Sequence, residues 1–170
     1  ATMVDSMDGA RDDNCTGDGP LRHIYVHIPF CAKICPYCAF YKERADPAFT
    51  GRFCEAILAE LAVAISQGAA AAGQPETIFF GGGTPTALTT SQLGLLLAGF
   101  RETLDLSKLE EWTFEANPGS VSERKAGLLR ERGVNRISLG VQSFDDGLLA
   151  LLGRDHSVAQ AEASFGLLRR

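Results

Sequence analysis

A chain of 170 residues is long enough for one domain with a sizeable core. Hydrophobic residues make up 45% and charged residues 22%, which excludes a chain that is disordered or low-complexity throughout. The balance of 16 Lys and Arg against 21 Asp and Glu gives a net charge of -5, so no basic excess points to nucleic acid or an anionic membrane surface.

Residues 1–20 carry five Asp and show no apolar periodicity, which predicts a flexible acidic tail. Residues 21–170 are expected to form the ordered domain. Ile24-Tyr-Val-His-Ile28 alternates and is rich in β-branched residues, so it reads as a strand ended by Pro29. A loop from Phe30 to about Lys42 follows. From Pro47 to about Gln67, Phe53, Ile57, Leu58, Leu61, Ala62 and Ile65 recur at helical spacing. Gly68–Pro75 breaks that helix. Thr77–Phe80 reads as a second strand, and Ser91 is the expected cap of a helix reaching about Leu104. Trp112–Glu115 is the third strand, and Ser122 starts a helix stopped by Gly133. Arg136–Leu139 is the fourth, followed by short helices near 145–152 and 157–170.

Strand and helix thus alternate four times, which predicts an α/β fold with parallel strands and helical crossovers. Either an open doubly wound sheet or part of a barrel satisfies the pattern. The longest uncharged stretch, Thr77–Phe100, is interrupted by Gly81, Gly82, Gly83, Pro85, Gly94 and Gly99, so it does not read as a membrane span of about 20 apolar residues. The N-terminus lacks the apolar run of a secretory signal, so a reducing, cytoplasmic setting with free or metal-bound thiols is expected. Residue 1 is Ala, and Leu167–Arg170 lie in a helical pattern without a stop, so the sequence reads as a piece of a longer protein.

Three of the five cysteines, Cys31, Cys35 and Cys38, fall in one loop. Four thiolates normally hold a [4Fe-4S] cube, one per iron; three leave an open iron that a small chelating molecule can take. A zinc ion completed by His23 or His27 is the competing reading, and three buried unliganded thiols a third. Cys54 lies on a helix face, and Cys15 falls in the tail. Gly81-Gly82-Gly83-Thr84-Pro85 follows the second strand directly, where glycines let backbone approach a ligand. Glu115 ends the third strand and Gln142 follows the fourth. Four successive strands therefore carry ligand-type groups at their carboxyl ends, the place where parallel α/β folds bind ligands.

This CxxxCxxC loop, with Tyr37 before the third cysteine, resembles that of the radical S-adenosylmethionine superfamily. The resemblance implies a partial (β/α)6 barrel of about four β-α units. It implies a [4Fe-4S] cluster on Cys31, Cys35 and Cys38, with S-adenosyl-L-methionine chelating the open iron and accepting one electron at its sulfonium. The carried-over cofactor contacts are Tyr25, Tyr37, Gly82, Gly83, Thr84, Glu115, Gln142 and Arg154. In that assignment the glycine turn holds the methionine amino group, Tyr37 lies near the adenine, Glu115 holds the ribose and Gln142 the nucleoside.

His27-Ile-Pro-Phe-Cys31, Cys35-Pro-Tyr-Cys38, Glu115-Ala-Asn-Pro-Gly119, Arg136–Phe144 and Leu152-Gly-Arg-Asp-His156 together resemble the oxygen-independent coproporphyrinogen III oxidase group. That group contains both the oxidases and related heme chaperones. The oxidases usually carry another cysteine two residues after the third; here Phe40 stands there, as in the chaperone branch. The resemblance implies a protein that binds heme and transfers it to an acceptor, which can be membrane-associated. The alternative is oxidative decarboxylation of coproporphyrinogen III to protoporphyrinogen IX. Either reading implies a reductant protein such as flavodoxin or ferredoxin. Heme-binding residues are expected beyond Arg170; His23, His27 and His156 are poor candidates for heme ligands, and His27, on a strand beside the cysteine loop, is better read as structural.

Overall fold

The computed structural model describes residues 22–66 and 74–170. The expected tail over 1–20 lies outside them, as does Cys15. In chain order the elements are β1 (His23–Ile28), β2 (Phe30–Cys31), β3 (Glu43–Arg44), α1 (Pro47–Ser66) and β4 (Thr77–Gly82). Then come α2 (Thr90–Thr103), β5 (Glu111–Ala116), α3 (Glu123–Glu131), β6 (Arg136–Leu139), α4 (Asp146–Leu151) and α5 (Val158–Leu168).

The four main strands pair in parallel in the order β1-β4-β5-β6. A doubly wound sheet reverses its strand order at a switch point. Here every new strand adds on the same side of the last, as in a barrel. The helices follow suit, α1 packing on α2, α2 on α3 and α3 on α5. The choice left open by the sequence is resolved as an arc of a (β/α) barrel.

Strand alternation separates two faces. Val26, Ile28, Ile78, Phe80, Trp112 and Phe114 meet Leu93, Leu96, Leu97 and Phe100 of α2 in one buried core. Phe80 is its centre, stacked on Phe114 at 4.3 Å and edge-on to Phe100 at 5.1 Å between ring centroids. The intervening residues Tyr25 and His27 of β1, Phe79 and Gly81 of β4, and Glu115 of β5 share the opposite face, the inside of the arc.

Local chemistry sets the helix starts. Thr89, not Ser91, caps α2: its hydroxyl accepts from Gln92 N–H while the Gln92 side chain accepts from the Thr89 N–H. This capping box satisfies two orphan donors at once, and Ser91 falls inside the first turn. Ser122 and Ser157 cap α3 and α5.

The loop after β1 holds one further departure. Phe30–Cys31 is strand, paired with Glu43–Arg44, and brackets the cysteine loop at its root. Glu43 N–H donates to Pro29 O and Ala45 N–H to Cys31 O on one side; Gly83 N–H donates to Ile28 O and Thr84 N–H to Phe30 O on the other. A two-residue ladder leaves no periodicity to read, so the sequence shows only a loop there.

Candidate functional site

The carboxyl end of the sheet is built around the cysteine loop. Cys31, at the end of the bracketed strand, is buried; Cys35 and Cys38 are half-buried, and none of the three is in a disulfide. Burial raises the Cys31 thiol above its ordinary pKa, with Thr84 Oγ1, 3.6 Å from the sulfur, acting in the opposite direction. Cys35 and Cys38 lie close enough for their charges to act on Cys31 as well. Among the described residues, no three His, Cys, Asp or Glu side chains converge as they would on one metal ion. The thiols instead border one loop, and a cube takes each thiolate on a separate iron.

β4 supplies the glycine turn. Gly82 has φ +106, a conformation that favours glycine, and its N–H donates to Glu115 Oε2 at 3.0 Å. Gly83 passes so close to the β1–β2 junction that an added Cβ would lie 2.7 Å from Phe30 O and Pro29 C. That close approach lets Thr84 reach Cys31.

A hydrogen-bonded chain then links three strand ends. Asn117 Nδ2 donates to Thr84 Oγ1 at 2.9 Å, and Asn117 Oδ1 accepts from Arg154 Nη2 at 2.7 Å. The same Nη2 donates to Gly140 O at 2.9 Å. Arg154 Nη1 reaches Cys35 Sγ at 3.4 Å and Tyr37 Oη at 3.5 Å. Its Nε is buried without a partner, an open donor beside the cysteine loop. Arg154 is thus no solvated helix-end charge but a brace between the loop and the sheet. Beside it lies a cavity of about 440 Å³ lined by Cys35, Thr84, Asn117, Lys125 and Asp155, among others. Burial lowers the Lys125 pKa while its ammonium donates to Thr86 O and Ser120 O.

Glu115 is half-buried at the end of β5. Gln142 is exposed on the turn after β6 and has φ +68. Tyr25 lies on the inner face, stacked on Phe79 with centroids 6.0 Å apart, its hydroxyl 3.1 Å from His27 Nδ1. Burial, and then the charge of Glu115, raise the Tyr25 pKa. The structure therefore brings Cys31, Cys35, Tyr37, Gly82, Gly83, Thr84, Glu115 and Arg154 into one linked network, with Tyr25 on the adjoining face. Sequence reasoning missed Asn117, the hub of that network. It stands just past a strand end, the same signal that singled out Glu115.

The donor set fits a cluster and a small zwitterionic ligand: three free thiols at one loop, a backbone arm at Gly82–Thr84, a carboxylate and an unpartnered guanidinium nitrogen. A one-directional parallel arc with such groups on successive strand ends defines a cofactor-binding domain of the (β/α) barrel class. The chain belongs to the Radical SAM superfamily, whose pattern matches residues 25–170. The heme chaperone HemW of Lactococcus lactis subsp. lactis (strain IL1403) is 42% identical over 146 residues, 86% of this chain and 37% of that protein. The heme chaperone HemW of Bacillus subtilis (strain 168) is 41% identical over 148 residues, 85% of this chain and 38% of that protein. Coproporphyrinogen III oxidase (HemN) from Escherichia coli, described as a radical SAM enzyme, superposes with a TM-score of 0.80 at 26% identity over 95% of this chain and 38% of its own. The chain thus spans less than two-fifths of the length of these relatives. Among the described residues, no helix is long and apolar enough to cross a membrane.

Proposed function

We propose that this chain is the cofactor-binding, N-terminal part of a radical SAM core, and that the whole protein is a heme chaperone of the HemW type. The observation that carries the reading is the Cys31–Thr84–Asn117–Arg154–Cys35 network, which ties a three-thiol loop to the glycine turn and to an open guanidinium donor. Cys31, Cys35 and Cys38 hold a [4Fe-4S] cluster; the Gly82–Thr84 arm, Glu115, Gln142, Arg154, Tyr25 and Tyr37 receive S-adenosyl-L-methionine. When bound, the pair supplies one-electron reductive cleavage of a sulfonium. The chain's own residues bind and orient. Thr84 steadies Cys31, Arg154 steadies Cys35 and Tyr37, and Glu115 faces the glycine amide. Heme is the cargo, an acceptor protein receives it, a flavodoxin- or ferredoxin-like protein delivers electrons, and the cytoplasm is the working compartment.

The chaperone reading over the oxidase rests on the similarity to HemW and on Phe40, an exposed aromatic where the oxidases place a further cysteine. The test is anaerobic incubation of the reconstituted full-length protein with coproporphyrinogen III and, separately, with heme. Heme binding without decarboxylation is the expected result. Substantial protoporphyrinogen IX formation would move the assignment to the oxidase. Iron and sulfide analysis tests the cluster independently: zinc in place of iron sinks it.

A further inference from the structure

Gln142 is the one non-glycine residue with positive φ among the described residues. A left-handed backbone on such a residue persists only where its surroundings over-determine it. The neighbouring carbonyls show how. Gly140 O accepts from Arg154 Nη2, and Val141 O lies 3.1 Å from His156 Nε2. Val141 O also accepts from Ser143 N–H at 2.9 Å, so the chain is wound tightly through the turn. His156 is buried, with 7% of its surface exposed, and its ring is the only side chain described on that carbonyl. A carbonyl only accepts, so Nε2 carries a proton in this contact, while Nδ1 is buried without a partner. The backbone beside the ring is fixed, because Ser157, the next residue, caps α5.

We propose that His156 is a positioning residue: its Nε2–H anchors the Val141 carbonyl and so fixes the strained turn that presents the Gln142 amide to the nucleoside of the bound cofactor. The inference rests on the S-adenosylmethionine reading above and adds to it a residue outside the contact set. Arg154 grips the turn from the cysteine side and His156 from the α5 side. Two residues of one short segment thereby set the end of β6.

The experiment uses the anaerobically reconstituted full-length protein and four variants: His156→Leu, His156→Gln, Gln142→Ala, and His156→Leu with Gln142→Ala. Three quantities are read: amide hydrogen exchange over residues 140–144 without cofactor, the S-adenosylmethionine dissociation constant, and iron content. Leucine keeps bulk but removes the donor. It is expected to speed exchange over 140–144 and weaken cofactor binding about tenfold at unchanged iron content. Glutamine, whose amide can donate to the same carbonyl, restores most of both. In the Gln142→Ala background the leucine change adds less than about twofold, because its effect runs through Gln142. A full tenfold loss in that background overturns the proposal, and so does unchanged exchange in His156→Leu. Should the leucine variant lose its iron, the glutamine variant decides alone: wild-type exchange and affinity support the proposal, and a loss of both overturns it. A wild-type protein that holds its cluster yet binds no S-adenosylmethionine overturns the cofactor reading instead, a result separable from either.

Discussion

Asn117 and Arg154 meet at 2.7 Å, amide oxygen to guanidinium, while the Asn117 amide nitrogen holds Thr84. Neither partner can be exchanged freely, because one atom of Asn117 must accept and the other must donate. Asn117→Leu fills similar space and removes both bonds. It is expected to cost about 2–3 kcal/mol, since a half-buried guanidinium loses a hydrogen-bonded partner. Thermal or denaturant unfolding measures this. Iron content is expected to persist while S-adenosylmethionine affinity falls; unchanged affinity would remove Asn117 from the site.

Gly83 faces backbone rather than side chain, so a methyl group there has nothing soft to displace. Gly83→Ala is expected to push the glycine turn off the β1–β2 junction and cost about 1–3 kcal/mol. The Thr84–Cys31 contact is lost with it, so iron loading drops together with the melting temperature. A variant that melts and loads like wild type would show that the junction yields.

The cysteines sort by environment. Burial pushes Cys54 up to about 11, and its side chain is fully enclosed in the core. At pH 8, three units below that value, roughly one molecule in a thousand carries the Cys54 thiolate, the reactive form. In the apoprotein, a thiol reagent at pH 8 is expected to modify Cys35 and Cys38 within minutes and Cys54 only on unfolding. Peptide mapping of the labelled sites checks the order. Raising the pH toward 11 is expected to hasten Cys54 labelling, because the thiolate gains population as pH approaches its pKa. For the cluster, alanine at Cys31, Cys35 or Cys38 is expected to abolish iron and sulfide, and alanine at Cys54 to leave both.

Phe114 is stacked on Phe80 with no exposed surface. Phe114→Ala leaves a cavity in the centre of the core and is expected to cost about 3–5 kcal/mol. Denaturant titration measures it, and a loss below 1 kcal/mol would mean that the core collapses around the gap.

Most of the fold was legible because its signals are local and periodic. Alternation marks Ile24–Ile28, and 3.6-residue spacing marks Pro47–Ser66. The winding direction was not legible: successive strands look alike whether the next one adds to the left or to the right, and only the pairing order decides. Thr89 is missed as a cap because Ser91 fits the simple rule, although Thr89-Thr90-Ser91-Gln92 carries the capping-box spacing in the sequence itself. At the site, residue types near strand ends were readable one at a time. Their connections were not, since Thr84, Asn117 and Arg154 are far apart in sequence and meet only through the sheet. His156 is the sharpest case: nothing in its neighbours announces that it holds a carbonyl on another segment.

The Gly82–Glu115 hydrogen bond gives the glycine turn its own placeholder. One donor and one acceptor of the site are already spent on each other at 3.0 Å. A ligand that claims the Gly82 amide or that carboxylate oxygen performs an exchange rather than an addition, and its affinity registers only the difference between old and new partners. Selectivity follows from the same swap. A molecule offering a single matching group leaves either the amide or the carboxylate stranded, whereas one bearing both an acceptor and a donor at the right separation leaves neither. The arrangement thereby favours ligands with two complementary polar ends over fragments of them.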